Sequence, residues 1–185
     1  MACVGVLALQ GGFAAHGRAL REAGLEAQEI RDARGLAAVG GLVLPGGEST
    51  TQLRLIERHG LADALEAFVA SGRPVLATCA GLILAARQVR PVQRSFGWLD
   101  VEVERNAYGR QLDSFEDVAD GDGCPLVFIR APRITAVAGS VAVLARWRGD
   151  PVLVRAGAVT GATFHPELTR DRWVQRLAFE RLLAS

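Results

Sequence analysis

The sequence predicts an α/β protein: one three-layer α/β/α domain around a mostly parallel central sheet, spanning residues 1–185. Three observations carry that expectation. Short apolar runs of strand length alternate with amphipathic stretches of helix length, the pattern of parallel strands joined by covering helices. Half of the residues are hydrophobic and only 22% are charged, which suits a generous core and disfavours disorder. A length of 185 residues fits one well-packed domain better than two.

Each element follows in order. Residues 4–9 form an unbroken apolar run and read as a buried strand; residues 13–23 set Phe13, Gly17, Leu20 and Gly24 at helical spacing. Residues 25–30 and 41–45 read as the next two strands. Ser49 with Gln52 fits a capping box opening a helix. Residues 61–70 repeat Leu61, Leu65, Phe68 and Val69 on one helical face. Residues 74–78 are a further apolar strand, and residues 80–87 a helix. The second half is richer in strands. Residues 97–104 alternate as a strand with one solvated face. Residues 126–129, 141–146, 151–155 and 159–164 follow as strands, with a hairpin turn at Arg148-Gly149-Asp150. Residues 120–125 read as a loop, and a last helix from about Arg170 aligns Trp173, Val174, Leu177, Ala178 and Leu182.

Composition excludes several function classes. A formal net charge of +1 gives no electrostatic case for nucleic acid or an anionic membrane. The 21 basic residues are all arginine, so lysine-based covalent chemistry has no residue here. The N-terminus lacks the basic region and apolar stretch of a signal peptide, and no apolar run reaches the roughly 18–20 residues needed to span a bilayer. Cys3, Cys79 and Cys124 lie far apart with no CxxC spacing, against a zinc site or disulfide framework. A soluble cytoplasmic protein with reduced thiols, and no metal or cofactor, is expected.

Three stretches carry chemistry. In Thr78-Cys79-Ala80-Gly81 a strand runs directly into a cysteine with small neighbours, and a helix follows. Sites in open α/β sheets form at strand carboxyl ends, a tight strand-to-helix turn lifts a nucleophile clear, and a helix N-terminus favours the thiolate. The competing possibility for that stretch is a buried structural cysteine. In His165-Pro166-Glu167, extended backbone would project both side chains to one side, so the carboxylate could orient the imidazole. In Pro45-Gly46-Gly47-Glu48-Ser49, two glycines after a strand can turn backbone N–H groups inward as an oxyanion hole. A phosphate loop is disfavoured there, since no Gly-Lys-Ser/Thr follows and Glu48 would repel phosphate.

Together these stretches resemble the triad-type (class I) glutamine amidotransferases, a flavodoxin-like fold class. Leu7-Ala8-Leu9-Gln10-Gly11, Val103-Glu104-Arg105-Asn106-Ala107-Tyr108-Gly109-Arg110-Gln111, Phe128-Ile129-Arg130-Ala131-Pro132 and Phe164-His165-Pro166-Glu167-Leu168 narrow the match. They resemble the family of glutaminase subunits of pyridoxal 5′-phosphate synthase. The resemblance implies that Cys79 attacks the amide carbon of L-glutamine, His165 carries the proton and Glu167 holds the ring. It implies an oxyanion hole from Gly47 and Ala80, and substrate contacts from Gly47, Glu48, Ser49, Arg105, Ile129 and Arg130. In that family ammonia passes into a (β/α)₈-barrel synthase subunit of a multi-subunit complex, where it is joined to ribose 5-phosphate and glyceraldehyde 3-phosphate.

Gly12 departs from the acidic residue common after Leu-Gln-Gly, and residues 89–95 and 116–125 are short or unusual. These bear on the partner interface. Gln10 is expected to shape the oxyanion hole when the partner docks. His16 and His59 sit beside charged residues and are expected in solvent. Cys3 and Cys124 lack an activating context. Alternatives are a glutaminase serving another synthase, a non-catalytic glutamine sensor, and a thiol peptidase or chaperone of related fold.

Overall fold

The computed structural model describes residues 3–107, 114–121 and 123–184, so Tyr108, Gly109, Arg110 and Gln111 lie outside the described residues. The first half runs β1 (Cys3–Leu7), α1 (Phe13–Glu22), β2 (Glu26–Ile30), α2 (Ala33–Ala37) and β3 (Gly41–Leu44), then α3 (Ser49–Arg58), α4 (Ala62–Ala70), β4 (Val75–Thr78) and α5 (Ala80–Ala85). The second half adds β5 (Ala86–Arg90), β6 (Leu99–Glu104), β7 (Phe115–Val118), β8 (Pro125–Phe128) and β9 (Arg133–Val137). It closes with β10 (Ala142–Trp147), β11 (Asp150–Ala156), β12 (Val159–Ala162), a 3-10 turn at Pro166–Leu168, α6 (Trp173–Ala178) and α7 (Glu180–Leu183).

Seven strands form the central sheet in the order β10-β11-β12-β4-β3-β1-β2. From β12 to β2 every pairing is parallel, while β10 and β11 join antiparallel at one edge. Period-two alternation divides the inner strands between two cores. Leu42, Leu44, Val75 and Ala77 face α2, α3, α4 and α5; Val43 and Leu76 face α1 and α6. Those strands are apolar on both sides because both sides are covered. The expected α/β architecture is what the chain forms.

Two small sheets sit outside the main one. β5, β6 and β9 add Val89, Val101, Val103 and Ile134 to the first core, and the β7–β8 hairpin adds Leu126 and Phe128 to the second. Helix α5 stops at Ala85, two residues short of the expectation, and β5 begins at once. All six of its residues are buried, so no polar face marks where the helix ends. The expected final helix is two. Phe179 interrupts it with φ −116° and ψ 24°, and its fully buried ring lies where a Cβ on Gly41 would come within 2.9 Å. The hairpin at Arg148-Gly149 forms as expected, its two N–H groups donating to Asp120 at 3.0 and 2.9 Å. No helix among the described residues is long and apolar enough to cross a membrane.

Close packing of α5 on β3 places the Cys79 turn. A Cβ on Gly81 would lie 2.2 Å from the Leu44 carbonyl oxygen, a backbone atom that cannot move aside. Gly81→Ala is therefore expected to destabilise the protein by roughly 1–3 kcal/mol through overpacking. The check is urea unfolding: a lower midpoint at unchanged slope.

Candidate active site

Cys79 joins β4 to α5 with φ 49° and ψ −103°, a conformation L residues rarely adopt. Such strain costs on the order of 1–3 kcal/mol and persists only where its surroundings enforce it. Here the Cys79 N–H donates to the Ala162 carbonyl at 2.8 Å, and the Cys79 carbonyl accepts from Ile83 N at 3.2 Å. Sγ points toward the Ile129 carbonyl, 3.8 Å away.

β12 lies beside β4 in parallel register, with Ala162 opposite Thr78. Three residues further on is His165, whose N–H donates to the Val127 carbonyl of β8 at 2.8 Å. Its Nδ1 is 2.7 Å from Glu167 Oε1, which leaves Nε2 for the Cys79 thiol, a neighbour that favours the charged ring. The carboxylate does not reach the ring through extended backbone, as expected, but through a tight turn. Pro166 starts the 3-10 turn, its fixed φ suiting the first helical position, and this folds Glu167 back beneath the imidazole. Burial works to lower the His165 pKa, yet the hydrogen bonds and charges of Cys79 and Glu167 outweigh it and raise the group to about 10. Burial likewise opposes ionisation of Glu167, and the two histidines beside it overcome that, leaving its pKa below the usual value. The set can transfer a thiol proton to a held imidazole and stabilise the ion pair that results.

The loop after β3 closes over this pair. A Cβ on Gly46 would be 2.4 Å from His165 Cε1 and 3.3 Å from Cys79 Cβ, so only glycine fits. Gly47, at φ 153°, lies against Gln10, whose amide would be 2.6 Å from a Cβ there; Gln10 Oε1 also accepts from Glu48 N at 3.2 Å. Ala80 opens α5 next to Cys79. The α3 cap differs from the expected box: the cap residue is Glu48, whose carboxylate accepts from Thr50 N and Thr51 N, while Ser49 Oγ donates to Gln93 at 2.9 Å. A carboxylate at a helix N-terminus meets both free N–H groups and the helix dipole. Arg105 Nη2 is 3.1 Å from Glu48 Oε1, so these two candidate substrate residues hold each other. Ile129 presents its carbonyl to the sulfur; Arg130, exposed and at φ 48°, is on the rim.

His16 is a correction. It is fully buried, not solvated, with Nε2 3.1 Å from Thr78 Oγ1 and 3.3 Å from Glu167 Oε2. Its four-residue spacing to Leu20 was the available signal, since i and i+4 share a helix face. His59 is exposed as expected. Burial, then a nearby carboxylate, raises the thiol pKa of both Cys3 and Cys124, the latter to about 11, so neither is activated. Among the described residues no cluster of three or more His, Cys, Asp and Glu side chains could hold a metal ion.

The model of the SNO glutamine amidotransferase family matches residues 6–182. The chain is 52% identical over 185 residues to the pyridoxal 5′-phosphate synthase subunit PdxT of Parafrankia sp. (strain EAN1pec), covering 96% of this chain and 91% of that protein. It is 48% identical over 190 residues to the corresponding subunit of Solibacter usitatus (strain Ellin6076), covering 97% and 98%. A solved structure described as a glutamine amidotransferase superposes with a TM-score of 0.88 at 44% identity, covering 96% of this chain and 97% of that one.

Burial works to raise the Glu48 pKa, but hydrogen bonds from Thr50 and Thr51 bring it down to about 2. A carboxyl depressed on folding adds stability above its ordinary value near 4.5 and loses it as pH falls through about 2. Glu48→Gln is expected to cost about 1 kcal/mol at neutral pH, the usual size of a lost cap. Its deficit relative to wild type should shrink as pH falls from about 4.5 toward 2. Urea titrations at several pH values check both parts.

Proposed function

The chain belongs to the SNO glutamine amidotransferase family, and we propose on that premise that Cys79, His165 and Glu167 are its catalytic triad. The protein is a glutaminase: it hydrolyses L-glutamine to L-glutamate and ammonia, and the ammonia feeds pyridoxal 5′-phosphate synthesis. One observation carries the assignment of roles. His165 has Glu167 Oε1 2.7 Å from Nδ1 and the Cys79 thiol as its other neighbour, and both favour its charged form.

His165 takes the Cys79 thiol proton, and the thiolate attacks the side-chain amide carbon of glutamine. The amide oxygen becomes an oxyanion, received by the backbone N–H groups of Gly47 and Ala80. Collapse of this intermediate breaks the C–N bond, and the imidazolium returns its proton to the departing nitrogen, so ammonia leaves and a thioester remains. His165 then deprotonates a water, which attacks the thioester carbonyl; glutamate departs and the proton restores the thiol. Glu167 keeps the ring in one tautomer and stabilises its cationic form. Glu48, Ser49, Arg105, Ile129 and Arg130 line the glutamine subsite with Gly47. Arg105 and Glu48, paired when the site is empty, can turn to the α-carboxylate and α-ammonium of the substrate.

The partner is a (β/α)₈-barrel synthase subunit that takes ammonia directly, and the pair works in the cytoplasm as a multi-subunit complex. The whole chain acts as one glutaminase domain and needs no cofactor. Gln10 packs against Gly47 and accepts from Glu48 N, so it is placed to shape the oxyanion hole when the partner docks, and turnover by the isolated subunit is expected to be low.

Ammonia release from glutamine by wild type and Cys79→Ala, with and without the synthase subunit, tests this. Wild type should be active chiefly in the complex. Cys79→Ala should lose on the order of 10⁶ in turnover. Comparable release by the alanine variant would refute the nucleophile, and equal wild-type turnover with and without partner would refute the dependence on docking.

A further inference from the structure

We infer that His16 is a positioning residue of the glutaminase site, an Nε2–H donor on α1 that holds the outer oxygen of Glu167 while Glu167 holds His165. This rests on the triad reading of Cys79, His165 and Glu167. His16 is fully buried yet has no part in the chemistry described above. Its Nε2 faces two oxygens, Thr78 Oγ1 at 3.1 Å and Glu167 Oε2 at 3.3 Å. Glu167 Oε2 is buried and makes no hydrogen bond among the described residues, while His16 Nε2 is placed 3.3 Å from it. A buried carboxylate oxygen without a donor costs free energy, and a small turn of this ring would supply one.

Geometry also selects the tautomer. Nδ1 of His16 is buried without a partner. A proton on Nδ1 would be an orphaned N–H and would turn the Nε2 lone pair toward the carboxylate. A proton on Nε2 lies within reach of both Thr78 Oγ1 and the carboxylate and leaves only an orphaned acceptor at Nδ1, the lesser fault. Burial lowers the His16 pKa further than Glu167 can raise it, which favours the neutral ring. His16 lies four residues after Gly12, where a Cβ would be 3.4 Å from Glu167 Oε1, so the first turn of α1 rests directly on this carboxylate. Its other contact, Thr78, immediately precedes Cys79. One ring thus ties the carboxylate, the nucleophile strand and α1 together.

The groups facing Glu167 are few. His165 faces it from its own segment and His16 from α1. β8, also packed there, carries no titratable side chain. Arg172, which donates to the Pro166 carbonyl at 3.4 Å, is paired with Glu22. Removing the His16 donor therefore leaves the carboxylate easier to protonate, so activity should fail at higher pH on the acid side.

Glutamine hydrolysis in the presence of the synthase subunit is measured for wild type, His16→Leu and His16→Gln from about pH 5 to 9, with unfolding temperatures. His16→Leu should lower kcat by about tenfold, the order expected for one hydrogen bond to a charged group. KM should be unchanged, and the acid limb should move up by about one pH unit. Glutamine carries an amide near the Nε2 position and should restore both to within about threefold of wild type. Should the leucine variant fail to fold, His16→Asn replaces it, because its amide ends short of Glu167. A leucine or asparagine variant matching wild type overturns the inference. So do equal losses in all variants with an unmoved acid limb, the mark of packing alone. A wild type without glutaminase activity would instead overturn the triad reading, and this inference with it.

Discussion

The parallel, in-register pairing of β4 with β12 is the contact on which the site depends. Parallel strands end at the same edge of a sheet, so the turn after Thr78 and the segment after Ala162 emerge side by side. The hydrogen bond from Cys79 N to the Ala162 carbonyl ties the strained residue to the neighbouring strand at the point where both chains leave the sheet. An antiparallel partner would have carried the imidazole to the opposite edge. The sheet explains the strain too: a left-handed cysteine persists because the glycine two residues on lets α5 sit directly upon β3.

Two histidines approach one carboxylate and end in opposite states. His165 has two neighbours, Glu167 and Cys79, that favour its cation; His16 has one satisfied nitrogen and complete burial. The contrast comes from surroundings alone, since the residue type is the same. It also keeps the buried charge balanced, with one carboxylate serving one imidazolium. A second cation against Glu167 would compete for the charge that stabilises the first.

Much of this was legible in the sequence because the relevant signals are local. Unbroken apolar runs marked β1, β3 and β4, and the cysteine with its small neighbours marked the turn. What escaped notice had weak local signals. β7 reads Phe-Glu-Asp-Val, with two residues poor in strand propensity, and is held by pairing with β8. α2 has five residues and one buried anchor, Leu36, although Asp32 caps it at 2.7 Å from Gly35 N. His16 escaped for another reason: flanked by polar and small residues, it reads as surface until the 3-10 turn brings Glu167 against α1. Burial of a polar residue is decided by a distant partner, and periodicity on one helix cannot announce it.

The position of β12 late in the chain has a consequence for biosynthesis. The sulfur emerges from the ribosome well before the imidazole that is to receive its proton, and the strand that carries the base completes the middle of the sheet only after β10 and β11 have been made. Until then Cys79 is without the imidazole that is to receive its proton. Translation therefore makes the nucleophile before the base that arms it.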